Sequence, residues 1–363
     1  MATSKEPIRI GLIQDWGTKC QFIKDHYDAV RLGFEDARKE GVIDCEIDLV
    51  IREQEAYPKG DSRIVVDIWR EMERDKKMLA VIGPQVAQAN VLLRDPVNAA
   101  KFAMISHCAT DQFYGEYCFI LPNGFFPDEV QMLGAYLKKH GLKRVGVIYD
   151  DNDQGNESFE LLPQGIRRNG LEIVHAEKVL DPLVTDTAAV KGYLERIRAA
   201  DPDVLIYLGN AYLLRALTPA VKEMGWDIPR VTTTTYVGMV NYFPDDAKWI
   251  LDGWVGMDQY DERNTYMQGV LDRFAARFNG RRPAGAYTAI GYDFARQVAE
   301  GIALAPTLTR EGFKEGLEKV RMLPAAAGAE GNSSSYSRYD HRAYQGRFMV
   351  WRTMKDGVDT LVE

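Results

Sequence analysis

The sequence predicts an α/β protein of two doubly wound lobes, and two observations carry that prediction. A short apolar run followed by a polar loop and a helical stretch occurs four times early in the chain, as IRIGLIQDW (8–16), EIDLVIREQ (46–54), LAVIGPQVAQ (79–88) and FAMISHCATD (102–111). After FILPNG (119–124) the series starts again, as RVGVIYDDNDQG (144–155), LEIVHAEKV (171–179), DVLIYLGNAY (203–212) and RVTTTTYVG (230–238). Continuous β-branched runs that alternate with helices are typical of parallel strands covered on both faces, so each series predicts one sheet.

The helices between the runs carry apolar residues at 3.6-residue spacing, which predicts one face packed on a sheet. These stripes comprise Val30, Phe34 and Ala37, then Val65, Trp69 and Met72, and in the second half Val190, Leu194 and Ile197, then Leu214, Leu217 and Val221. Stripes of this kind belong to the core, so we assign them no part in function.

The last third of the chain is predicted to return to the first lobe. Trp254–Tyr260 is predicted as a strand that leaves the second series, and two helical patterns follow it without strands of their own. The small and polar segment Ala325–Tyr339 is predicted as flexible, and 347–363 as two strands joined by a hairpin turn at Asp356-Gly357.

This order implies three crossings between the lobes. We expect an N-terminal lobe of residues 1–121 plus 255–333 and a C-terminal lobe of residues 122–254 plus 334–363. Three crossings make a three-strand hinge, and a hinge between two sheets makes a clamp that closes on a ligand.

Composition and motifs exclude several classes of protein. The net charge is −8 and acids and bases are interspersed, so the chain lacks the concentrated basic face that nucleic acid requires. No apolar stretch approaches the roughly 20 residues of a membrane span. No phosphate loop, dinucleotide fingerprint or G-x-S-x-G elbow is present, so we predict no cofactor and no catalysis. Met1–Pro7 is too short and polar for a secretory signal.

The four cysteines, Cys20, Cys45, Cys108 and Cys118, include no C-x-x-C pair, so we predict no metal site. Cys108 and Cys118 are the one plausible disulfide pair, and four free thiols are an equal alternative.

His107-Cys108 and the acidic run at Asp150-Asp151 and Asp153 are the two candidates for catalytic groups. Neighbouring residues on a strand point to opposite faces, which disfavours a His107-Cys108 dyad and leaves His107 as a ligand contact. Glycosidases use paired carboxylates, yet acids beside Asn152 and Gly155 are more often helix caps, so we favour capping.

Ligands of doubly wound sheets bind outside the carboxyl ends of the strands. The polar and aromatic residues at these ends are Trp16, Gln85, Gln88, His107, Thr110, Asn152, Gln154, Asn210, Tyr212, Thr235, Tyr236, Tyr260 and Tyr287. Together they predict a cleft of neutral hydrogen-bonding groups and aromatic faces, which suits binding better than turnover.

The same segments, in this order and over nearly the whole chain, resemble the type 1 periplasmic binding proteins, and among them the leucine/isoleucine/valine-binding receptors of ABC transporters. The resemblance implies two Rossmann-like lobes, a three-strand hinge, a small ligand held in the cleft between the lobes, a membrane permease as partner and a periplasmic location. A cytoplasmic ligand sensor of the same fold that regulates a partner protein is the alternative, and an enzyme is the weakest.

The resemblance also implies which residues contact the ligand. Where amino-acid-binding members offer a hydroxyl after the third strand, this sequence has Ala87. Ser106, Cys108, Ala109 and Thr110 match the next loop of the family, and Gln154 stands near the position of a usual tyrosine. The acid that holds the α-ammonium is expected near Thr235 or Tyr236, and neither is acidic.

We therefore expect a ligand other than a free α-amino acid, namely a neutral or mono-anionic compound with an aromatic or alicyclic body. The alternative is that Glu55, Asp151 or Asp258 holds an ammonium group from another loop.

Overall fold

Two parallel sheets, each covered by helices, form the protein in the computed structural model, which describes residues 6–16, 20–57 and 61–362. The strands are β1 (Ile8–Trp16), β2 (Ile47–Tyr57), β3 (Met78–Ile82), β4 (Met104–Ser106), β5 (Cys118–Ile120), β6 (Arg144–Asp150), β7 (Glu172–Val179), β8 (Val204–Leu208), β9 (Arg230–Thr232), β10 (Trp254–Asp258), β11 (Leu323–Pro324), β12 (Ser333–Ser334), β13 (Tyr344–Gln345), β14 (Val350–Lys355) and β15 (Val358–Leu361). The helices are α1 (Gln21–Lys39), α2 (Ser62–Arg74), α3 (Ala87–Ala100), α4 (Phe126–Lys139), α5 (Asp153–Arg168), α6 (Thr187–Ala199), α7 (Leu214–Glu223), α8 (Thr235–Tyr242), α9 (Pro244–Ile250), α10 (Thr265–Arg277), α11 (Ala286–Leu304) and α12 (Arg310–Leu317). Most of Met1–Pro7, on which the expectation about a signal rests, lies outside the described residues.

The chain divides into two units, of which the first comprises Met1–Asn123 and Gln259–Phe348. Its sheet has the order β2-β1-β3-β4-β5, and every pairing is parallel. The predicted stripe of α1 is buried, and α11 is buried along nearly its whole length. These two helices approach closely because Gly33 lies where a Cβ atom would stand only 2.6 Å from the Cβ of Ala295.

The second unit comprises Gly124–Asp258 and Met349–Glu363, and its sheet has the order β15-β14-β10-β9-β8-β6-β7. The five strands from β6 to β10 pair in parallel, and β14 and β15 add an antiparallel hairpin. The hairpin turns at Asp356 and Gly357, whose φ values of 52° and 74° suit a tight primed turn. The predicted hairpin at Asp356-Gly357 is confirmed.

The run RVTTTTYVG does not continue as a strand to residue 238. Strand β9 ends at Thr232, and helix α8 begins at Thr235. The hydroxyls of Thr232 and Thr235 donate to the carbonyl oxygens of Tyr207 and Gly209. Threonine side chains that bond to neighbouring backbone in this way compete with the ladder of a sheet, which accounts for the early end of the strand.

The segment Ala325–Tyr339, predicted as flexible, is packed in the first unit, and residues 334–348, predicted for the C-terminal lobe, also belong to the first unit. Ala325, Ala326 and Ala327 are buried, and β11, β12 and β13 form a small antiparallel sheet. The carboxylate of Asp293 accepts the N–H groups of Ala326 and Ala327 and the hydroxyl of Tyr344 at 2.8, 3.0 and 3.0 Å. The unit boundaries therefore fall after Asn123, Asp258 and Phe348, and the last lies 15 residues beyond the predicted 333.

The cysteines are free thiols, so Cys108 and Cys118 form no disulfide in this structure. Burial raises the pKa of the Cys118 thiol, which lies 3.8 Å from the carbonyl oxygen of Arg94. Within the described ranges, no helix has the length and apolar content that a membrane crossing requires.

Candidate functional site

The first edge is our name for the loops that follow β1, β3 and β4 at the carboxyl side of the first sheet. Asp15, near the end of β1, is fully buried, and its carboxylate accepts the backbone N–H groups of Gln85 at 2.8 Å and Val86 at 3.0 Å. The hydroxyl of Ser106 donates to the carbonyl oxygen of Pro84 at 2.7 Å. The loop that carries Gln85 is therefore fixed from two neighbouring strands.

Tyr287 joins three parts of the first unit at this edge. It lies in the first turn of α11, and its hydroxyl accepts hydrogen bonds from the side-chain amides of Gln85 and of Asn123, the second at 2.8 Å. Its ring packs on Phe22 of α1 with the centroids 5.0 Å apart. Gln85 and Tyr287 were predicted as ligand contacts, whereas Asn123 was not.

Two histidines stack beside this group. The rings of His26 and His107 are nearly parallel, at an angle of 5° with centroids 5.4 Å apart, and Phe294 and Tyr287 meet His107 edge-on. The Nδ1 atom of His26 donates to the carbonyl oxygen of Tyr287 at 3.0 Å, because a carbonyl oxygen can only accept. Burial lowers the pKa of His26 to about 4.

His107 is the more informative member of this pair. Burial lowers its pKa well below the ordinary value, and the neighbouring His26 lowers it further, so the ring is neutral at neutral pH. His107 is 3 % exposed, and its Nδ1 atom is buried without a hydrogen-bond partner. An unsatisfied buried polar atom costs free energy, so this atom is a candidate contact for a bound molecule.

The other predicted residues of the first unit have different surroundings. Cys108 is buried with its N–H bonded to the Ser106 hydroxyl at 3.0 Å, and its Sγ lies 4.0 Å from the carbonyl oxygen of Thr110. Thr110 accepts the N–H of Gln112 at 3.0 Å and so caps a short 3₁₀ turn. Trp16 is buried, Ala87, Ala109 and Tyr260 are half-buried, and Gln88 is exposed. The side chain of Gln88 accepts a hydrogen bond from the hydroxyl of Ser62 in α2. This contact is with α2 and not with the group around Tyr287.

The second edge is our name for the loops that follow β6, β8 and β9 in the second unit. Asp150, the last residue of β6, accepts the Tyr207 hydroxyl at 2.9 Å and the backbone N–H of Asn210, also at 2.9 Å. Burial raises the pKa of Asp150 to about 7, against the opposing effect of these hydrogen bonds. Asn210 is 9 % exposed, and its Oδ1 atom is buried without a partner.

Gln154 and Tyr212 lie at this edge as predicted by their place after the strands. The side-chain amide of Gln154 donates to the carbonyl oxygen of Gly209 at 3.0 Å, and the same oxygen accepts the Thr235 hydroxyl. The ring of Tyr212 packs edge-on against Phe243 with centroids 5.3 Å apart. Gln154, Thr235 and Asn210 therefore converge on one short loop.

Tyr236 packs in the interior of the second unit. It is fully buried in α8, and its hydroxyl donates to Asp359 of β15 at 2.8 Å. A Cβ atom at Gly256 would stand 2.4 Å from the Cβ of Tyr236, so the helix lies directly on β10. These contacts tie α8 to the sheet and leave Tyr236 without an exposed face.

The acidic run after β6 divides into three roles. Asn152 caps α5 by accepting the N–H of Gly155 at 2.9 Å, and Asp153 lies in the first turn of that helix. Asp151 is exposed and pairs with Lys178 at 3.2 Å. Asp150, in contrast, is a buried acceptor, and because the cap of α5 is Asn152, none of the three acids is the cap.

Glu129 is a buried acid that sequence reasoning missed. It lies in the first turn of α4, and its Oε1 accepts the hydroxyl of Thr234 at 2.9 Å. Burial raises its pKa to about 7. A Cβ atom at Gly124, whose φ is +74°, would stand 2.2 Å from the same oxygen, so the start of this unit is closely packed around Glu129.

The chemistry of the two edges is that of binding rather than bond cleavage. The His107 ring lies against His26 and Phe294, and the Cys108 thiol is directed to the Thr110 carbonyl, so the two do not form a dyad. No group of three His, Cys, Asp or Glu side chains in the described part of the chain is arranged to hold a metal ion. The fold and its edges define a two-unit α/β ligand-binding protein.

Comparison with known proteins agrees with this class. A family profile described as "Periplasmic binding protein" matches residues 7–356, and no curated protein matches the sequence. The chain therefore belongs to the periplasmic binding protein family, whose members are binding receptors and not enzymes.

Solved structures with the same fold cover nearly the whole chain. A type 1 periplasmic binding protein from Bordetella pertussis is similar over 98% of this chain and 100% of its own, with 17% identity and a TM-score of 0.83. An ABC transporter substrate-binding protein from Desulfitobacterium hafniense in complex with Leu has 17% identity and a TM-score of 0.81, with 98% and 100% coverage. The branched-chain amino acid binding protein LivJ from Streptococcus pneumoniae in complex with isoleucine has 18% identity and a TM-score of 0.78, with 98% and 99% coverage.

Proposed function

We propose that the protein is the substrate-binding component of a periplasmic ABC importer, and that its ligand is a small aromatic or hydrophobic carboxylate or amide rather than a free amino acid. One observation carries the choice of ligand: the buried carboxylates at the two edges already have donors. Asp15 accepts two backbone N–H groups, Asp150 a hydroxyl and an N–H, and Glu129 a hydroxyl. A buried ammonium needs a carboxylate of its own, because an unpaired buried charge costs several kcal/mol.

The unpartnered polar atoms at the edges are neutral, which supports the same conclusion. His107 Nδ1 belongs to the first edge and Asn210 Oδ1 to the second, and each is buried. Hydroxyl and amide groups satisfy such atoms without bringing a charge, and a carboxylate accepts from the side-chain amides of Gln85, Asn123 or Asn210. We propose that residues of these edges contact the ligand and that membrane permease subunits receive it.

A free branched-chain amino acid is the second candidate, because two of the similar structures hold Leu and isoleucine. Of the three acids that could hold its ammonium, Glu55 is exposed and Asp151 is engaged by Lys178. Asp258, which is buried at the end of β10, is the acid that this candidate requires.

We expect compounds without an α-ammonium group to bind and their amino acid parents to fail. The measurement is a thermal-shift screen of aromatic and aliphatic carboxylates and amides, in which a ligand at about 100 times its Kd stabilises by about 2.7 kcal/mol. Calorimetry then compares leucine with 4-methylpentanoate and phenylalanine with 3-phenylpropanoate. The amino acids should bind at least about a hundredfold more weakly, which corresponds to roughly 2.8 kcal/mol for the unpaired ammonium.

The variant Asp258→Asn provides the control. It should leave the binding of the deaminated compounds within about twofold, since their recognition uses no ammonium partner. Micromolar binding of leucine or phenylalanine, lost in Asp258→Asn and with no binding of the deaminated analogues, would establish the second candidate and overturn the proposal.

A further inference from the structure

The two sheets repeat one topology. In the first unit β1 lies between β2 and β3, and in the second β6 lies between β7 and β8, so that the series β2-β1-β3-β4-β5 corresponds to β7-β6-β8-β9-β10. Strand β1 is therefore the counterpart of β6, and β3 is the counterpart of β8. In both pairs the strands are parallel, so their carboxyl ends and the loops that follow lie at the same edge.

A buried aspartate lies near the carboxyl end of the corresponding strand in both units. Asp15 lies at the end of β1 and accepts N–H groups from the loop after β3, with the Gln85 nitrogen at 2.8 Å. Asp150 lies at the end of β6 and accepts the N–H of Asn210 in the loop after β8 at 2.9 Å. Both carboxylates are fully buried. In each unit the residue held in this way carries a side-chain amide that we propose as a ligand contact.

A hydroxyl group holds each of these loops from the other side. The hydroxyl of Ser106, the last residue of β4, donates to the Pro84 carbonyl oxygen at 2.7 Å. In the second unit the hydroxyl of Thr235, which follows β9, donates to the carbonyl oxygen of Gly209 in the loop after β8. In both halves of the chain, the backbone of the loop is therefore hydrogen-bonded to a carboxylate on one side and to a hydroxyl on the other.

The contacts of the two acids are those of backbone acceptors and not of ion pairs. Among the described residues, neither Asp15 nor Asp150 contacts a lysine or arginine side chain; Asp150 accepts in addition from Tyr207 and Asn152. A buried carboxylate without a cation is costly unless N–H and O–H donors satisfy it, so its place must be maintained by those donors. Removing the acid leaves the loop N–H groups without their acceptor.

We propose that Asp15 and Asp150 are equivalent positioning residues, each of which sets the backbone of one ligand-contact residue, Gln85 or Asn210, from the neighbouring strand. The claim rests on the proposed function for the roles of Gln85 and Asn210. It goes beyond that function because it states that an aspartate fixes the loop backbone in each of the two units.

The hydrogen bonds that Asp15 and Asp150 accept should depend on pH, and this dependence can be measured. Burial raises the pKa of Asp15 to about 6 and that of Asp150 to about 7. Asp150 faces the hydroxyl of Tyr207, which donates to it, and Asp15 accepts backbone N–H groups. The N–H···O bonds are charge-assisted above these pKa values and weaken as each acid takes up a proton, so the amide protons should report each titration.

The test is a two-dimensional NMR titration of the ¹⁵N-labelled protein, which needs no ligand. In the wild type, the amide protons of Gln85 and Val86 should shift with a midpoint near 6 and that of Asn210 with a midpoint near 7, the pKa values of the acids they contact. Asp15→Asn should abolish the first titration and leave the second, and Asp150→Asn should do the reverse. Asp293→Asn is the matched control, because Asp293 is also a buried acid that accepts two backbone N–H groups but contacts neither loop.

Binding supplies the second measurement. For a deaminated compound that the calorimetry identifies, Asp15→Asn and Asp150→Asn should each weaken binding at least about tenfold, and Asp293→Asn by less than about twofold. Unchanged affinity in both variants, or amide protons of Gln85 and Asn210 that do not titrate in the wild type, would overturn the proposal. If a variant fails to fold, the wild-type titration decides. If no compound binds while the amide protons titrate as expected, the proposed function fails and the positioning role stands.

Discussion

Gly83→Ala should destabilise the first unit by about 3 kcal/mol or more and disturb the loop that carries Gln85. Gly83 has a φ of +84°, and a Cβ atom there would stand 2.2 Å from the carbonyl oxygen of Ile13 in strand β1. A left-handed conformation costs an alanine about 1–2 kcal/mol, and forcing an atom into packed backbone costs roughly 1–3 kcal/mol more. Urea denaturation followed by circular dichroism measures the loss.

Gly41→Ala is the matched control for this prediction. Gly41 has a similar φ of +75°, but no atom lies within 4 Å of the place where its Cβ would stand. Only the backbone conformation is penalised there, so we expect a loss of about 1 kcal/mol. Equal losses at Gly41 and Gly83 would show that the packing of the Gly83 loop against β1 has been misassigned.

Gly165→Ala should have an effect of similar size in the second unit, although alanine is the better helix former. A Cβ atom at Gly165 of α5 would stand 2.1 Å from the carbonyl oxygen of Val130 in α4, so the two helices would have to separate. We expect a net loss of about 3 kcal/mol, since separation of packed helices outweighs the roughly 1 kcal/mol gained in helix propensity.

Gly192→Ala in α6 should change stability in the opposite direction. The nearest atom to its Cβ position is the flexible end of Arg196, at 3.7 Å, so only the propensity term of up to about 1 kcal/mol remains. Denaturation of both variants in parallel tests the helix contact. A stabilised Gly165→Ala variant would rule out the close approach of α4 and α5.

The strands were predictable where the sequence is continuously apolar. Strands β1, β3, β6 and β8 follow their runs closely, because a buried parallel strand needs apolar side chains on both faces. Strand β9 ends at Thr232 although the threonines that follow have high strand propensity, because the hydroxyl of Thr235 bonds to the carbonyl oxygen of Gly209. The segment 325–348 was misassigned because alanine and serine look like a linker until their tertiary contacts with Asp293 are known.

The sequence predicts that the candidate residues lie at strand ends, but it does not predict the hydrogen bonds and ring contacts among them. Asp15 and Asp150 each follow an apolar run, yet the sequence analysis did not single out Asp15 and interpreted Asp150 as a helix cap. Their backbone donors lie 70 and 60 residues further along the chain, where no local pattern links them. His26 lies within a helix, and the stack with His107 follows only from tertiary packing.

For Tyr236, the position in the sequence led to a wrong expectation about exposure. Its place after a predicted strand suggested an aromatic face for a ligand, yet the side chain is fully buried because the chain turns into α8 before it. The helix packs on Gly256, a residue whose lack of a side chain makes room for the ring. We therefore give His107, Gln85 and Asn210 more weight as ligand contacts than Tyr236.

The central claim is that a small molecule binds at the residues of these edges, and hydrogen–deuterium exchange with mass spectrometry tests it most directly. The compound that raises the melting temperature most in the screen is added at about 100 times its Kd, so that the site is nearly full. The account predicts slower exchange in peptides that contain Gln85 and His107 and also in peptides that contain Asn210. Unchanged exchange in the peptides that contain Gln85, His107 and Asn210 would contradict it.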